Sequence, residues 1–196
     1  MKFILGLTGP TGSGKTTACK AAADLGFLVI DCDKVARKAT EDENCLKALA
    51  KEFGNDILNS EGNLNRKELA FKAFSSKEKT ELLNATIFPF ILEMLKEEIN
   101  SADSKFILID APTLFESGAD SMCNETCAIL ADNESRLKRI MQRDSLDQES
   151  AVLRMSAGKS DEYYKDRTKH ILYNNNNTEE LYNQFLKLLK TFMGGN

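Results

Sequence analysis

Two kinds of hydrophobic pattern alternate along this chain. Residues 2–8, 27–30, 106–109, 127–131 and 170–173 are short, mostly apolar runs bounded by turn or polar residues, which predicts buried strands. Between them the apolar residues recur at helical spacing. Ala18, Ala21, Ala22 and Leu25 define a helix that stops at Gly26, and a further helix is expected to start from an Asp cap at Asp31 or Asp33. Helical segments follow at 43–53, 65–74 and 77–100, then at 136–143, 148–155 and 178–192. The third of these carries Leu83, Ile87, Phe90, Ile91, Met94 and Leu95 on one face, with an interruption expected near Pro89. Strands alternating with helices predict an α/β protein with a parallel sheet of about five strands and helices on both faces.

Two stretches depart from that rhythm. Residues 41–103 form a block of charged helices with a turn cluster at Asn59, Ser60, Glu61, Gly62 and Asn63, as expected of an insertion that holds a second substrate. The stretch from about 144 to 168, most polar over 156–168, is expected to be a lid. Asn174, Asn175, Asn176 and Asn177 read as a turn, because both neighbouring segments are periodic.

Composition narrows the class. With 42% hydrophobic and 29% charged residues the chain is an ordinary globular protein of one domain's length. A net charge of −4 argues against nucleic acid as a partner. No apolar run approaches a membrane span or a secretory core, which points to a cytoplasmic protein with no membrane partner; a monomer is favoured. Cys19, Cys32, Cys45, Cys123 and Cys127 have no disulfide or zinc spacing and read as reduced, mostly structural thiols.

The strongest chemistry lies at 9–16, Gly-Pro-Thr-Gly-Ser-Gly-Lys-Thr, between a predicted strand and a predicted helix. Glycines at these positions let successive N–H groups face one phosphate, and the helix adds the positive end of its dipole. Lys15 then reaches the transferred phosphate and the Thr16 hydroxyl holds Mg²⁺, with Thr11, Gly12, Ser13, Gly14 and Thr17 completing an ATP-binding loop. A GTPase would carry an Asn-Lys-x-Asp element, which is absent. In parallel sheets ligands sit beyond the carboxyl ends of the strands, and the loop, Asp31/Asp33 and Asp110 all fall there. Asp33 is read as functional; for Asp31 a cap and a functional role stand level.

Four further segments carry motifs. Ile30-Asp31-Cys32-Asp33-Lys34-Val35-Ala36-Arg37 reads D-x-D-x-x-A-R and Gly62-Asn63-Leu64-Asn65-Arg66-Lys67-Glu68-Leu69 reads G-x-L-x-R-x-x-L. Asp110-Ala111-Pro112-Thr113-Leu114-Phe115-Glu116 is close to D-x-P-L-L-F-E, and Arg139-Ile140-Met141-Gln142-Arg143 to R-L-x-x-R. Together these segments resemble the dephospho-CoA kinase family. The resemblance runs from residue 1 to about 183. It implies a three-layer P-loop kinase fold, ATP and dephospho-CoA as substrates, Mg²⁺ as cofactor, and phosphorylation of the ribose 3′-hydroxyl in the last step of coenzyme A synthesis. It also implies roles for individual residues. Asp33 becomes the base for the hydroxyl, with Arg37, Arg66, Leu114, Phe115 and Glu116 as acceptor contacts. Asp110 becomes a Mg²⁺-supporting carboxylate, and Arg139 and Arg143 become ATP contacts, Arg143 also catalytic.

The chain departs from the family pattern at Phe88 (usually His), Thr113, Gly158 (commonly Gln), Thr168-Lys169 and Asn176 (usually Gly). Two rival readings stay open beside the first. One is a P-loop kinase for a nucleoside or another small hydroxyl compound, and the other is a non-catalytic ATP-binding module.

Overall fold

The computed structural model describes residues 2–175 and 177–194; the expectation for Asn176 lies outside them. The order is β1 (Phe3–Thr8), α1 (Lys15–Asp24), β2 (Leu28–Asp31), α2 (Cys32–Ala39), α3 (Glu43–Phe53), α4 (Arg66–Ala73), α5 (Lys77–Ser101), β3 (Phe106–Asp110), β4 (Glu125–Leu130), α6 (Asn133–Asp144), α7 (Gln148–Ser156), α8 (Asp161–Lys165), β5 (His170–Tyr173) and α9 (Thr178–Met193). The five strands form one sheet ordered β2-β3-β1-β4-β5. Its ladders between β1 and β3, β1 and β4, and β4 and β5 are parallel, with Leu5 opposite Leu108, Leu7 opposite Cys127 and Cys127 opposite His170.

The chain divides into two compact units, 1–30 with 103–196, and 31–102. In the first, alternate strand residues face opposite sides of the sheet. Leu5, Leu7, Leu108, Cys127 and Ile129 meet Ala18, Ala21 and Ala22 of α1 and Leu181, Phe185 and Leu189 of α9. Small alanines let α1 lie close, and the large α9 side chains fill the remaining volume. Fully burying a residue such as Phe185 or Leu189 stabilises the fold by roughly 1.5–3 kcal/mol. Ala128 and Leu130 point the other way and cluster with Tyr164 of α8.

The second unit is helical. Leu49 and Phe53 of α3, Ile57, Leu69 and Ala73 of α4, and Leu82, Leu83, Ile87 and Phe90 of α5 form its core. The expected interruption at Pro89 does not occur, since α5 runs unbroken from Lys77 to Ser101. A mid-helix proline costs about 3 kcal/mol through a lost hydrogen bond and a clash. Burial of Ile91, Leu95 and Ile99 beyond the proline offsets this and keeps the second half of the helix in line. No helix among the described residues is long and apolar enough to cross a membrane.

Candidate active site

The loop 9–14 joins the central strand β1 to α1, and its shape is set by its glycines. Gly12 has φ +78° and Gly14 φ +105°. A Cβ at Gly12 would lie 2.8 Å from the Arg136 carbonyl oxygen, and one at Gly14 would lie 2.2 Å from Asn174 Nδ2. Both the backbone conformation and the space therefore require glycine.

The α1 N-terminus begins directly at this turn. The α-helices α2 to α9 each have a side-chain acceptor at the N-cap: Asp31, Asp42, Asn65, Ser76, Asp132, Asp147, Ser160 and Asn177 respectively. The N-cap of α1 is Gly14, with no side-chain cap. No side chain therefore occupies the start of α1, where the Thr17 N–H turns back to the Gly14 carbonyl at 2.9 Å, and the positive end of the helix faces an external anion directly. Thr16 is exposed on that first turn, and Lys15 Nζ donates to the Gly9 carbonyl at 2.7 Å, across the loop it belongs to.

Three carbonyls of the loop turn outward and are met by donors from elsewhere in the same unit. Arg136 Nε donates to Thr11 O at 3.0 Å. Arg139 NH1 donates to Gly12 O at 3.3 Å and, at the long limit of 3.5 Å, to Ser13 O. Asn174 Nδ2 donates to Ser13 O at 2.8 Å, and Arg139 NH2 donates to the Asn174 carbonyl at 2.8 Å. Asn175 Oδ1 accepts from Asp132 N at 2.9 Å, which fastens the same turn to the start of α6. Arg136 and Asn174 are 5% and 1% exposed, so these are interior contacts. Burial pushes the Arg136 guanidinium below its ordinary ionisation range, partly countered by Asp161 and Tyr164.

Arg139, expected on the nucleotide, thus has its guanidinium engaged on the outside of the loop. Arg143 is exposed and grips Asp144 through Nε at 2.8 Å and NH2 at 2.9 Å, while NH2 also reaches the Thr11 hydroxyl at 3.3 Å. The hydrogen bond to Asp144 raises its pKa, and the same bond, with Arg154 at 3.0 Å, holds the Asp144 carboxyl below the usual carboxylate range.

Asp110 ends β3, and its Oδ2 accepts a hydrogen bond from Cys19 Sγ of α1 at 3.3 Å. The Thr8 hydroxyl reaches the Pro112 carbonyl at 3.4 Å, so the segment after Asp110 is tied to the end of β1. Leu114 is not available as an acceptor contact. It is 0% exposed, and its methyl carbons stand 2.9 and 3.2 Å from where a Gly6 Cβ would be, so it packs over the central strand. Phe115 and Glu116 are half-buried beside Tyr163: the rings of Phe115 and Tyr163 meet edge-on at 6.4 Å, and Glu116 helps raise the Tyr163 pKa, an effect led by burial.

The second unit carries the other predicted residues. Asp31 caps α2: its Oδ1 accepts from Asp33 N at 3.0 Å and Lys34 N at 3.2 Å. Asp33 is exposed one position into the helix, with Arg37 one turn further along the same face. Arg66, the first residue of α4, stands against the end of α2, with NH2 3.5 Å from the Arg37 carbonyl. Both arginine side chains are exposed. The five cysteines form no disulfide, and burial pushes Cys45 up to about 11 and Cys123 and Cys127 up to about 12.

A parallel sheet in this order, whose central strand feeds a glycine loop, an uncapped helix and an adjacent lysine, defines a P-loop kinase. The profile of the family described as dephospho-CoA kinase matches residues 3–180, and the chain belongs to that family. It is 36% identical over 189 residues to a dephospho-CoA kinase of Fusobacterium nucleatum, covering 96% of this chain and 98% of that one. Among solved structures it resembles the protein TT1252 of Thermus thermophilus (TM-score 0.79, 29% identity, 100% and 98% of the two chains covered). It also resembles the dephospho-CoA kinase of Campylobacter jejuni (TM-score 0.62, 28% identity, 97% of each chain covered).

Proposed function

We infer that this protein transfers the γ-phosphate of ATP to the ribose 3′-hydroxyl of dephospho-CoA, giving coenzyme A and ADP. Beyond family membership, the observation that carries this reading is the division of labour between two neighbouring aspartates. Asp31 is committed to capping α2, which leaves Asp33 exposed to take a proton from, or orient, an acceptor hydroxyl. Arg37 and Arg66 supply planar donors for the acceptor's phosphates. The phosphate loop, the start of α1 and Lys15 receive the β- and γ-phosphates, and Arg143 neutralises charge on the transferring group after giving up part of its hold on Asp144. Five cysteines that form no disulfide suit a reducing cytoplasm.

The donor set fits Mg²⁺: a hydroxyl at Thr16 and a carboxylate at Asp110, both hard oxygen ligands. Bound there with ATP, the ion would neutralise phosphate charge. An ADP-release assay with dephospho-CoA beside a panel of nucleosides tests the reading. Turnover is expected with dephospho-CoA, to be abolished by excess chelator and restored by Mg²⁺, with Thr16→Val needing more Mg²⁺. Preference for a nucleoside, or full activity in chelator, would overturn it.

Within the proposed lid, Tyr164 is 4% exposed and packs against Ala128 and Leu130 of β4. Thr168 Oγ1 donates to the Tyr164 carbonyl at 2.7 Å, and Lys169 N donates to Thr126 Oγ1 at 3.1 Å. The moving part is therefore assigned to residues before α8. Amide exchange over 145–160 is expected to slow when ATP and dephospho-CoA analogues bind together, while 161–168 changes little. Equal exchange over 145–160 with and without ligands would remove the lid.

A further inference from the structure

We propose that Arg136 and Asn174 are positioning residues for phosphoryl transfer, holding the phosphate loop in its binding shape before ATP arrives. The proposal rests on the ATP-binding reading given above. A loop whose amide N–H groups converge on a phosphate must turn its carbonyls the other way, toward the protein. Those carbonyls need donors there, because a buried acceptor left without one is costly. Arg136 meets the Thr11 carbonyl at 3.0 Å and Asn174 meets the Ser13 carbonyl at 2.8 Å.

Neither residue is placed as a packing group would be. A core position suits an aliphatic side chain, yet residue 136 is a 5%-exposed arginine that makes no salt bridge among the described residues and donates to a backbone carbonyl of the loop. Asn174 makes a similar choice. With Nδ2 turned to Ser13, its Oδ1 is buried with no hydrogen-bond partner among the described residues. The flipped amide would set an oxygen against the Ser13 carbonyl, so the loop dictates the orientation. Gly14 completes the fit, since any Cβ there would strike Asn174 Nδ2. The two residues approach from the start of α6 and the end of β5, so the loop is held from two separate elements.

The test is calorimetric binding of ATP alone, the ATP and dephospho-CoA KM values with kcat, and amide exchange of residues 11–16 in the ligand-free protein. Arg136→Met keeps the unbranched stem and removes the donor. It is expected to bind ATP about tenfold more weakly, the scale of one charge-assisted hydrogen bond. The ATP KM should rise in step, with kcat within about threefold, the dephospho-CoA KM unchanged and faster exchange in the loop. Arg136→Lys, which restores a cationic donor, should recover most of the affinity. Asn174→Asp puts an acceptor against the Ser13 carbonyl and should lose more than Arg136→Met. A lowered melting temperature with unchanged ATP affinity and loop exchange would reduce both residues to packing and overturn the proposal. If Arg136→Met does not fold, Arg136→Gln decides in its place by the same criteria. Failure of the unsubstituted protein to bind ATP would instead sink the kinase reading itself.

Discussion

Lys15→Ala is expected to remove most phosphoryl transfer and leave the fold standing. Catalysis of this reaction is mainly positioning and stabilisation of charge spread over the transferring group. A preorganised donor aimed at such charge is worth about 10²–10³-fold, and a full cation at the γ-phosphate belongs at or above the top of that range. The lysine head contributes little to stability, because α1 is anchored through Ala18, Ala21 and Ala22 while Nζ rests on the Gly9 carbonyl within its own loop. Turnover with MgATP and dephospho-CoA, measured beside circular dichroism and a melting curve, checks both halves. A well-folded Lys15→Ala protein with near-normal turnover would refute the assignment.

Asp33→Asn should lower turnover by about 10²-fold, the low end of what a general base supplies, because a loose transition state leaves the attacking hydroxyl only weakly deprotonated. ATP affinity should hardly change, since the phosphate loop is untouched. Asp31→Asn makes the sharper comparison. Asparagine caps a helix about as well as aspartate, so the bonds to Asp33 N and Lys34 N survive and turnover should fall far less. If Asp31→Asn were the more damaging change, the base would be Asp31; if neither mattered, the acceptor would not be activated at the end of β2.

The strands and the phosphate loop were legible because their signals are local. A five-residue apolar run, a glycine at a fixed offset and a lysine after it constrain the backbone without help from afar. The donors behind the loop were not legible. Arg136 and Asn174 lie 125 and 161 residues from the carbonyls they hold, and in sequence they look like one arginine on a charged helix and one of four asparagines in a turn. Cys19 likewise gave no hint of its bond to Asp110, which depends on α1 lying beside β3. Leu114 was misread because a motif transfers residue identity but not exposure. Pro89 was misread because local propensity takes no account of the burial of Ile91, Leu95 and Ile99.

The strand order also has a consequence for how the chain is made. β1 pairs with β3 and β4, and β3 stands between β1 and β2, so the first thirty residues have no sheet to join until residues beyond 106 have been synthesised. Residues 31–102 are continuous in sequence and hold their own apolar cluster, so they are free to fold first. At about 5–20 residues per second the wait for β3 is on the order of ten seconds, during which the apolar β1 segment is open to chaperones or to mispairing. Early folding of 31–102 would draw its two ends into a compact body, shortening the effective loop that β1 and β3 must close, although loop entropy grows only by about 0.6 kcal/mol per doubling. The larger benefit is kinetic: the helices sequester their own apolar surface during translation, leaving two short strands, Phe3–Thr8 and Leu28–Asp31, waiting for their neighbours.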